Sequence, residues 1–194
     1  MSREAVLFAG GKSSRMGRDK ALLPFANSDS LALYQYRRLQ AIFDRVYIST
    51  KSDKFDFEAE LIYDRYETSS PLVGIVSMFE RLSCDELFVL SVDAPFVNQQ
   101  VIERLYCEAE TKSDIIVAHS PLGLEPLCAI YRRSLLPQAK ELLLQNNHRL
   151  QSLLHLVRTQ EVWFEDEKLF TNLNHPEEYE AAYLDMISSF VKST

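Results

Sequence analysis

A basic segment near the start of the chain, residues 10–20, carries side chains suited to binding an anion. Gly10 and Gly11 lack a Cβ atom, so the backbone can turn there and leave its N–H groups open to a ligand. The cations of the segment are Lys12, Arg15, Arg18 and Lys20, and its acid is Asp19. The segment therefore has a net charge of +3, whereas the whole chain has a net charge of −7. Backbone N–H groups backed by Lys and Arg are typical of phosphate sites.

The segment fits neither of the two common glycine-rich nucleotide motifs. Gly11-Lys12-Ser13 looks like the end of a P-loop, but that motif needs a glycine five positions earlier, where this chain has Val6. The Gly-x-Gly-x-x-Gly spacing of dinucleotide sites is absent as well. The apolar run from Ala5 to Ala9 predicts a buried strand that leads into the glycines. The sequence therefore supports neither a P-loop NTPase nor a typical NAD site.

Residues 8–24, which read Phe-Ala-Gly-Gly-Lys-Ser-Ser-Arg-Met-Gly-Arg-Asp-Lys-Ala-Leu-Leu-Pro, resemble the signature of the molybdenum cofactor guanylyltransferase family. That signature is approximately Leu-Ala-Gly-Gly-x-Ser-x-Arg-Met-Gly-x-Asp-Lys-x-Leu-Leu. Related cytidylyltransferases usually have Ala-Ala-Gly where this chain has Ala9-Gly10-Gly11. The resemblance extends from Phe8 to about Glu178 and implies a three-layer α/β/α, Rossmann-like nucleotidyltransferase fold.

The resemblance also implies an activity: transfer of GMP from MgGTP to molybdenum-bound molybdopterin, which yields the guanine dinucleotide cofactor and pyrophosphate. It implies GTP and molybdenum-molybdopterin as substrates and Mg²⁺ as cofactor. Molybdoenzymes or their chaperones are further candidate partners. The residues alone predict less, namely a magnesium-dependent enzyme that acts on a nucleoside triphosphate.

Asp93 is the candidate metal ligand, because it directly follows the most apolar predicted strand and carboxylate oxygens suit Mg²⁺. Residues 91–95, Ser-Val-Asp-Ala-Pro, match the family's (Cys/Ser)-x-Asp-x-Pro element, in which the aspartate holds the metal. The structural alternative for Asp93 is a carboxylate that stabilises a turn or caps a helix.

Arg15 and Lys20 are the candidate catalytic cations, since nucleotidyl transfer depends on positioning and charge stabilisation. The sequence does not show which of the two contacts the α-phosphate and which contacts the departing pyrophosphate.

The remaining candidates follow from the resemblance. Nucleotide contacts are implied for Phe8, Ala9, Gly10, Gly11, Lys20, Asp64, Pro71, Leu72, Gly74 and Asp93. Residues 71–74 look like the family's Gly-Pro-Leu-x-Gly loop, although Ser70 replaces its first glycine. Acceptor contacts are implied more weakly for Glu125, Pro126, Asn172 and Asn174. Asn174 is equally well placed to cap the last helix, because Pro176 follows it.

Alternating strand and helix patterns must position these residues. Strands are predicted at 5–9, 46–49, 61–63, 86–92, 114–118 and 161–164, and helices at 31–43, 72–82, 101–109, 134–146, 149–156 and about 175–191. The segment 122–131 breaks this alternation with a loop and a strand. The pattern predicts an α/β fold with a mainly parallel sheet, whose ligands bind beyond the carboxyl ends of the strands.

Composition sets the broader limits. With 194 residues, 46% of them hydrophobic and 25% charged, the chain is expected to form a single domain, residues 1–194. No leader-like segment and no apolar run of about 20 residues is present, so no membrane association is expected. The three cysteines form no metal or disulfide pattern and favour a cytoplasmic location. No basic helix with interleaved aromatic residues suggests a nucleic-acid partner.

Two other functions stay open at this level. The chain could transfer another nucleotide, such as CMP to molybdopterin, or a nucleotide to a sugar or alcohol phosphate. Gly11 and the Asp19-Lys20 pair favour guanylyl transfer. It could also be a non-catalytic nucleotide-binding partner in molybdoenzyme maturation, which the presence of Arg15, Lys20 and Asp93 argues against.

Overall fold

The computed structural model describes residues 3–10, 18–63 and 70–191. Within these ranges the strands are β1 (Glu4–Phe8), β2 (Arg45–Thr50), β3 (Glu60–Tyr63), β4 (Glu86–Ser91), β5 (Ile115–Ser120), β6 (Gly123–Arg132) and β7 (Thr159–Trp163). The helices are α1 (Leu31–Gln40), α2 (Pro71–Arg81), α3 (Gln99–Glu108), α4 (Leu136–Leu144), α5 (Leu150–Leu156) and α6 (Pro176–Val191). A short 3-10 helix, Lys20–Leu22, lies between β1 and α1.

Across the described residues, seven strands form one sheet in the order β3-β2-β1-β4-β6-β5-β7. Neighbouring strands run parallel, except that β6 runs antiparallel to both β4 and β5. The antiparallel strand is the segment that interrupts the strand–helix alternation of the sequence. The expected α/β fold with a mainly parallel sheet is confirmed.

Helices cover both faces of the sheet, and each face has its own apolar core. Along β1, Ala5 and Leu7 point into the core formed with α1 and α3, whereas Val6 and Phe8 point into the core formed with α2, α4 and α5. This alternation follows from the two-residue period of a strand. Since β1 is buried on both faces, it reads as an unbroken apolar run, as parallel strands do. The three-layer arrangement predicted from the sequence is confirmed.

The central position of β4 determines where the functional residues meet. β4 is fourth among the seven described strands and pairs with β1 on one side and β6 on the other. Because β1, β2 and β4 are parallel, their carboxyl ends lie at the same edge of the sheet. Ala9 and Gly10 follow β1 at this edge, and Asp93 follows β4 there.

Helix boundaries follow the capping chemistry of the sequence. Ser30 caps α1, since its side-chain oxygen accepts from the N–H of Leu33 at 3.1 Å, and Ser70 caps α2 in the same way through Val73 at 3.2 Å. Helix α1 ends at Gln40, three residues earlier than the periodicity predicts. Phe43 still packs into the core, where its ring stacks on Phe88 at 5.4 Å between centroids. None of the described helices is long and apolar enough to cross a lipid bilayer.

Candidate active site

Lys20, Asp93 and Asn174 form a polar cluster at the carboxyl edge of the sheet, and we call these three residues the Lys20 cluster. The Nζ atom of Lys20 donates to Oδ2 of Asp93 at 2.7 Å and to Oδ1 of Asn174 at 3.1 Å. The Lys20 and Asp93 side chains keep only 15% and 19% of their surface exposed, so water screens their attraction weakly. The sequence motifs that contain these residues therefore meet in space.

The position of Lys20 is set by the 3-10 helix that it begins. Asp19 caps this helix, because its Oδ1 atom accepts from the N–H of Ala21 at 3.0 Å. Ala21 is buried in the core and anchors the turn, so the lysine beside it is held at the surface of the site. Capping by Asp is favourable because the first N–H groups of a helix have no partner within it.

Asp93 is held by contacts on both its side chain and its backbone. Ser91 Oγ donates to Asp93 Oδ1 at 2.5 Å, which leaves Oδ2 facing Lys20. The carbonyl of Asp93 accepts from the N–H of Leu173 at 2.8 Å, so the segment that carries Asn172 and Asn174 is attached directly to the end of β4. Side-chain and main-chain bonds together fix this carboxylate at the cluster.

Helix α1 holds the segment that follows Asp93. Gln35 Nε2 donates to the carbonyl of Ala94 at 2.9 Å. The Arg38 guanidinium donates to the carbonyls of Pro95 at 2.6 Å and Val97 at 2.5 Å. Burial lowers the pKa of Arg38, and its carbonyl partners compensate for part of the lost hydration. These contacts constrain the backbone immediately after the candidate metal ligand.

Asn174 does not cap α6, which was the structural alternative for this residue. Its side-chain oxygen accepts from Lys20, and the helix begins two residues later at Pro176. The carboxylate of Glu178 performs the capping, because it accepts from the N–H groups of Asn174 at 2.6 Å and His175 at 2.8 Å. The amide of Asn174 is therefore directed at the site.

A cavity of about 200 Å³ opens beside the Lys20 cluster. Its lining includes Asp93, Glu125, Pro126, Phe170, Asn172 and Asn174. All four residues predicted to contact the acceptor thus line the same cavity as Asp93. Since complete ligand sites usually measure about 300–1,000 Å³, this cavity can hold only part of a cofactor-sized molecule.

Glu125 contributes a half-buried carboxylate to this cavity. Burial raises the pKa of its carboxyl, while a hydrogen bond from Ser120 Oγ at 2.9 Å acts in the opposite direction. The bond from Ser120 also fixes the orientation of the carboxylate. A carboxylate held in a small cavity is a strong acceptor for N–H groups of a ligand.

The predicted nucleotide side of the site lies at the end of β1 and the start of α2. Residues 71–74 are not a loop, as the family motif suggested, but the first turn of α2, which the Ser70 cap starts and Pro71 at the first position favours. Leu72 is fully buried, and a Cβ atom at Gly74 would lie 2.4 Å from Cε1 of Phe8. Gly74 therefore permits close packing between α2 and Phe8.

Three predicted site residues, Gly11, Arg15 and Asp64, lie outside the described residues. Ala9 and Gly10, which directly precede Gly11, are described. Ala9 donates its N–H to the carbonyl of Ser49 at 3.0 Å, and Gly10 is exposed beside it. Among the described residues, the nearest atom to a Cβ at Gly10 would be the carbonyl oxygen of Ser49 at 3.9 Å, so this part of the fold leaves room for a side chain there.

The donor set suits a metal that is bound mainly by substrate and water. Among the described residues, no group of three or more His, Cys, Asp or Glu side chains is arranged to hold a metal ion. Mg²⁺ commonly takes one or two carboxylates, several waters and the phosphate oxygens of its substrate. Asp93, with Ser91 fixing one of its oxygens, fits such a site.

Sequence analysis did not identify several residues that hold the site together. Gln35 and Arg38 lie on an amphipathic helix whose pattern indicates only packing, and Ser120 belongs to an apolar strand. Lys54 lies in a charged segment that resembles an ordinary loop, yet it contacts the end of β1. Their partners are distant in the sequence, so no local pattern reveals them.

Comparison with known proteins places this architecture among nucleotidyltransferases. A family model described as MobA-like NTP transferase domain matches residues 5–162. The molybdenum cofactor guanylyltransferase of Campylobacter jejuni is 39% identical over 177 residues, covering 90% of this chain and 92% of that protein. The protein of the same name from Helicobacter pylori strain G27 is 34% identical over 183 residues, covering 91% of this chain and 90% of that protein.

A solved structure has a similar fold. It is described as molybdopterin-guanine dinucleotide biosynthesis protein A from Archaeoglobus fulgidus, and it superposes with a TM-score of 0.80 at 21% sequence identity. The match covers 96% of this chain and 99% of that chain. At this level of identity the likeness bears on the fold.

Proposed function

The chain belongs to the MobA-like NTP transferase family, and from this premise we propose that it transfers GMP from MgGTP to molybdenum-bound molybdopterin. The family and the named relatives identify it as a nucleotidyltransferase of molybdenum cofactor biosynthesis. The proposal adds the guanine nucleotide, the acceptor and the products, which are the guanine dinucleotide cofactor and pyrophosphate.

The observation that carries the proposal is the position of Lys20 between Asp93 and Asn174, beside the cavity lined by Glu125 and Asn172. A weakly screened cation next to a carboxylate and amides is an arrangement that binds phosphate oxygens and a divalent metal. Asp93 and Asn174 belong both to this cluster and to the cavity lining, so a molecule bound in the cavity would lie next to Lys20. The arrangement supports a site in which a nucleotide and an acceptor meet at Lys20.

In the proposed reaction, a terminal phosphate oxygen of the acceptor attacks the α-phosphorus of GTP, and the bond from that phosphorus to the oxygen of the departing pyrophosphate breaks. The attacking oxygen is already anionic near neutral pH, so no side chain has to remove a proton from it. The protein contributes position and positive charge. We expect Lys20 to turn from Asp93 towards the α-phosphate when the nucleotide binds, and Arg15 to share the stabilisation of the phosphates.

Asp93 would hold the metal that accompanies the triphosphate. Mg²⁺ bound there supplies positive charge that offsets the charge of the phosphate oxygens. The Ser91 hydroxyl and the backbone bond from Leu173 keep the carboxylate in place whether or not Lys20 remains its partner.

The acceptor is proposed to occupy the cavity beside the cluster. A pterin ring presents adjacent N–H donors on its pyrimidine edge, and the oriented carboxylate of Glu125 can accept from them. Asn172 and Asn174 have side-chain amides that donate and accept, so they can orient the acceptor but cannot act as bases. The cavity holds only part of the acceptor, and its terminal phosphate would extend towards Lys20.

The proposal includes a cytoplasmic location, which the three free cysteines favour because thiols persist in a reducing compartment. The organisation of residues 1–194 as a single domain also stays a prediction. Interaction with molybdoenzymes or their chaperones, to which the finished cofactor would pass, is a further part of the proposal.

The test is pyrophosphate release from MgGTP in the presence of molybdate-loaded molybdopterin, with MgCTP and MgATP as alternative nucleotides. We expect release with GTP alone, and its loss in Lys20→Ala and Asp93→Ala. Lys112→Ala is the matched control, since this exposed lysine precedes β5 at the opposite edge of the sheet.

Two outcomes would contradict the proposal in different ways. Release with CTP instead of GTP would overturn the assignment of the base while retaining nucleotidyl transfer. Binding of GTP without turnover, with an acceptor that a known enzyme can use, would indicate a non-catalytic partner in cofactor maturation.

A further inference from the structure

Lys54 connects the two ends of the basic glycine segment, although it lies in a different part of the chain. Its Nζ atom donates to the carbonyl of Ala9 at 2.9 Å and forms an ion pair with Oδ2 of Asp19. Ala9 directly precedes Gly10, and Asp19 directly precedes Lys20. One ammonium group therefore contacts both residues that flank residues 10–18.

The ion pair is coupled to the position of Lys20 through the two oxygens of one carboxylate. Oδ2 of Asp19 binds Lys54, while Oδ1 accepts from the N–H of Ala21 and caps the 3-10 helix that Lys20 begins. A carboxylate fixed at both oxygens can hardly rotate. Removal of Lys54 would free one oxygen and loosen the cap beside Lys20.

Lys54 also affects the charge of the site. Asp19 is an acid inside the segment that is expected to bind a triphosphate, so its unpaired carboxylate would repel the nucleotide. The Lys54 and Asp19 side chains are 19% and 32% exposed, respectively, so their attraction is only partly screened. The ion pair offsets this repulsion while Asp19 continues to cap the helix.

The side chain of Lys54 is held in place by its surroundings. Its Nζ atom lies 5.5 Å from the centroid of the Phe55 ring, and that ring packs on Phe57. Lys51, in the same segment, is exposed. Lys51 can therefore serve as a matched control, because it carries the same charge in the same segment but is exposed, whereas Lys54 contacts the residues that flank the glycine segment.

We propose that Lys54 is a positioning residue for the nucleotide, which fixes both flanks of residues 10–18 and neutralises Asp19. The inference rests on the proposed function in one respect, namely that this segment binds a nucleoside triphosphate. It adds a role for a lysine that contacts neither Asp93 nor the acceptor cavity.

The test compares Lys54→Met, Lys54→Arg and Lys51→Met by calorimetric titration with MgGTP and by steady-state kinetics. Loss of a partly buried charge-assisted contact is expected to weaken MgGTP binding, and to raise its KM, by about tenfold or more. The KM for the acceptor should stay within about twofold of the original value, a limit set by the absence of direct contact. Lys54→Arg should restore most of the nucleotide affinity, and Lys51→Met should have no effect.

A double-mutant comparison separates positioning from general destabilisation. In an Asp19→Asn background the ion pair is already lost and only the hydrogen bond to the Ala9 carbonyl remains, so Lys54→Met should have a smaller additional effect on the KM for MgGTP. Thermal unfolding of each variant shows whether it is folded. A folded Lys54→Met variant with unchanged nucleotide affinity, or equal effects in the two backgrounds, would overturn the inference.

The binding experiment also distinguishes failure of this inference from failure of the proposed function. If the original protein binds MgGTP and Lys54→Met binds it equally well, only the role of Lys54 is wrong. If the original protein prefers another nucleoside triphosphate, the same comparison is made with that nucleotide. If it binds no nucleoside triphosphate, the proposed function fails and the inference fails with it.

Discussion

Replacement of Gly74 by alanine provides a quantitative test of the packing between α2 and the end of β1. The added Cβ atom would lie 2.4 Å from Cε1 and 2.9 Å from Cζ of Phe8, and 3.4 Å from Oγ of Ser49. Carbon atoms in contact usually lie about 3.5–4.0 Å apart, so the ring would have to retreat by roughly 1 Å. Phe8 is buried and packed in the core with α2, so its ring has little space to move.

Two opposing effects determine the size of the change. Overpacking of a core typically costs about 1–3 kcal/mol, whereas replacement of glycine by alanine within a helix gains about 0.5–1 kcal/mol. We therefore expect Gly74→Ala to lower the free energy of unfolding by about 0.5–2 kcal/mol. In a Phe8→Leu background the distal ring atoms are gone, and Gly74→Ala should instead raise the free energy of unfolding by about 0.5–1 kcal/mol.

The assay is equilibrium unfolding in urea for the original protein, both single variants and the double variant. The four free energies form a double-mutant cycle whose coupling should be about 1–3 kcal/mol, provided that the urea dependence is the same in all four. If Gly74→Ala has the same sign and size of effect in both backgrounds, the steric reasoning is refuted. Nucleotide titration of the folded variants tests separately whether displacement of Phe8 also weakens MgGTP binding.

Two further predictions concern contacts outside the catalytic cluster. Hydrogen bonds from Arg158 lower the pKa of Asp114 from 3.8 to about 2, so this carboxylate should stabilise the fold above about pH 4 and lose that effect as the pH falls towards 2. Asp114→Asn should therefore cost about 1–2 kcal/mol in urea unfolding at pH 7 and about half as much at pH 3, and an equal cost at both pH values would contradict this account. Arg38→Met leaves the two carbonyls after Asp93 without their donor, so it should lower the free energy of unfolding by about 2–4 kcal/mol and reduce kcat. Exposed Arg37→Met is the control, and similar losses in both variants would show that the carbonyl contacts are unimportant.

The sequence was sufficient to predict the layers and the central strand. β4 is almost wholly apolar because both of its faces are covered, and that pattern indicates a central position without knowledge of its neighbours. Motif positions at strand ends also predicted that Asp93 and the basic segment would converge. The relevant physical rule is simple, since parallel strands have their carboxyl ends at one edge of the sheet.

The details that sequence reasoning missed depend on competition between possible partners. Asn174 had equally good local reasons to cap α6, but Glu178 supplies the capping oxygen and the amide of Asn174 binds Lys20. Residues 71–74 form the first turn of α2, as the apolar periodicity at 72–82 predicted, and the loop suggested by the family motif is wrong because Ser70 can cap and Pro71 suits the first position. Lys54 could not be identified because its partners, Ala9 and Asp19, are 45 and 35 residues away.

The hydrogen bond between Lys20 and Asn174 joins residues 154 positions apart, so the site depends on a segment that the sheet itself does not need. Every strand of the described sheet precedes Asn174 in the sequence, because β7 ends at Trp163. A chain shortened to end before Asn174 would therefore keep all the segments that pair in the described sheet while Lys20 lacked this amide partner. We expect such a shortened chain to acquire sheet structure without catalytic competence.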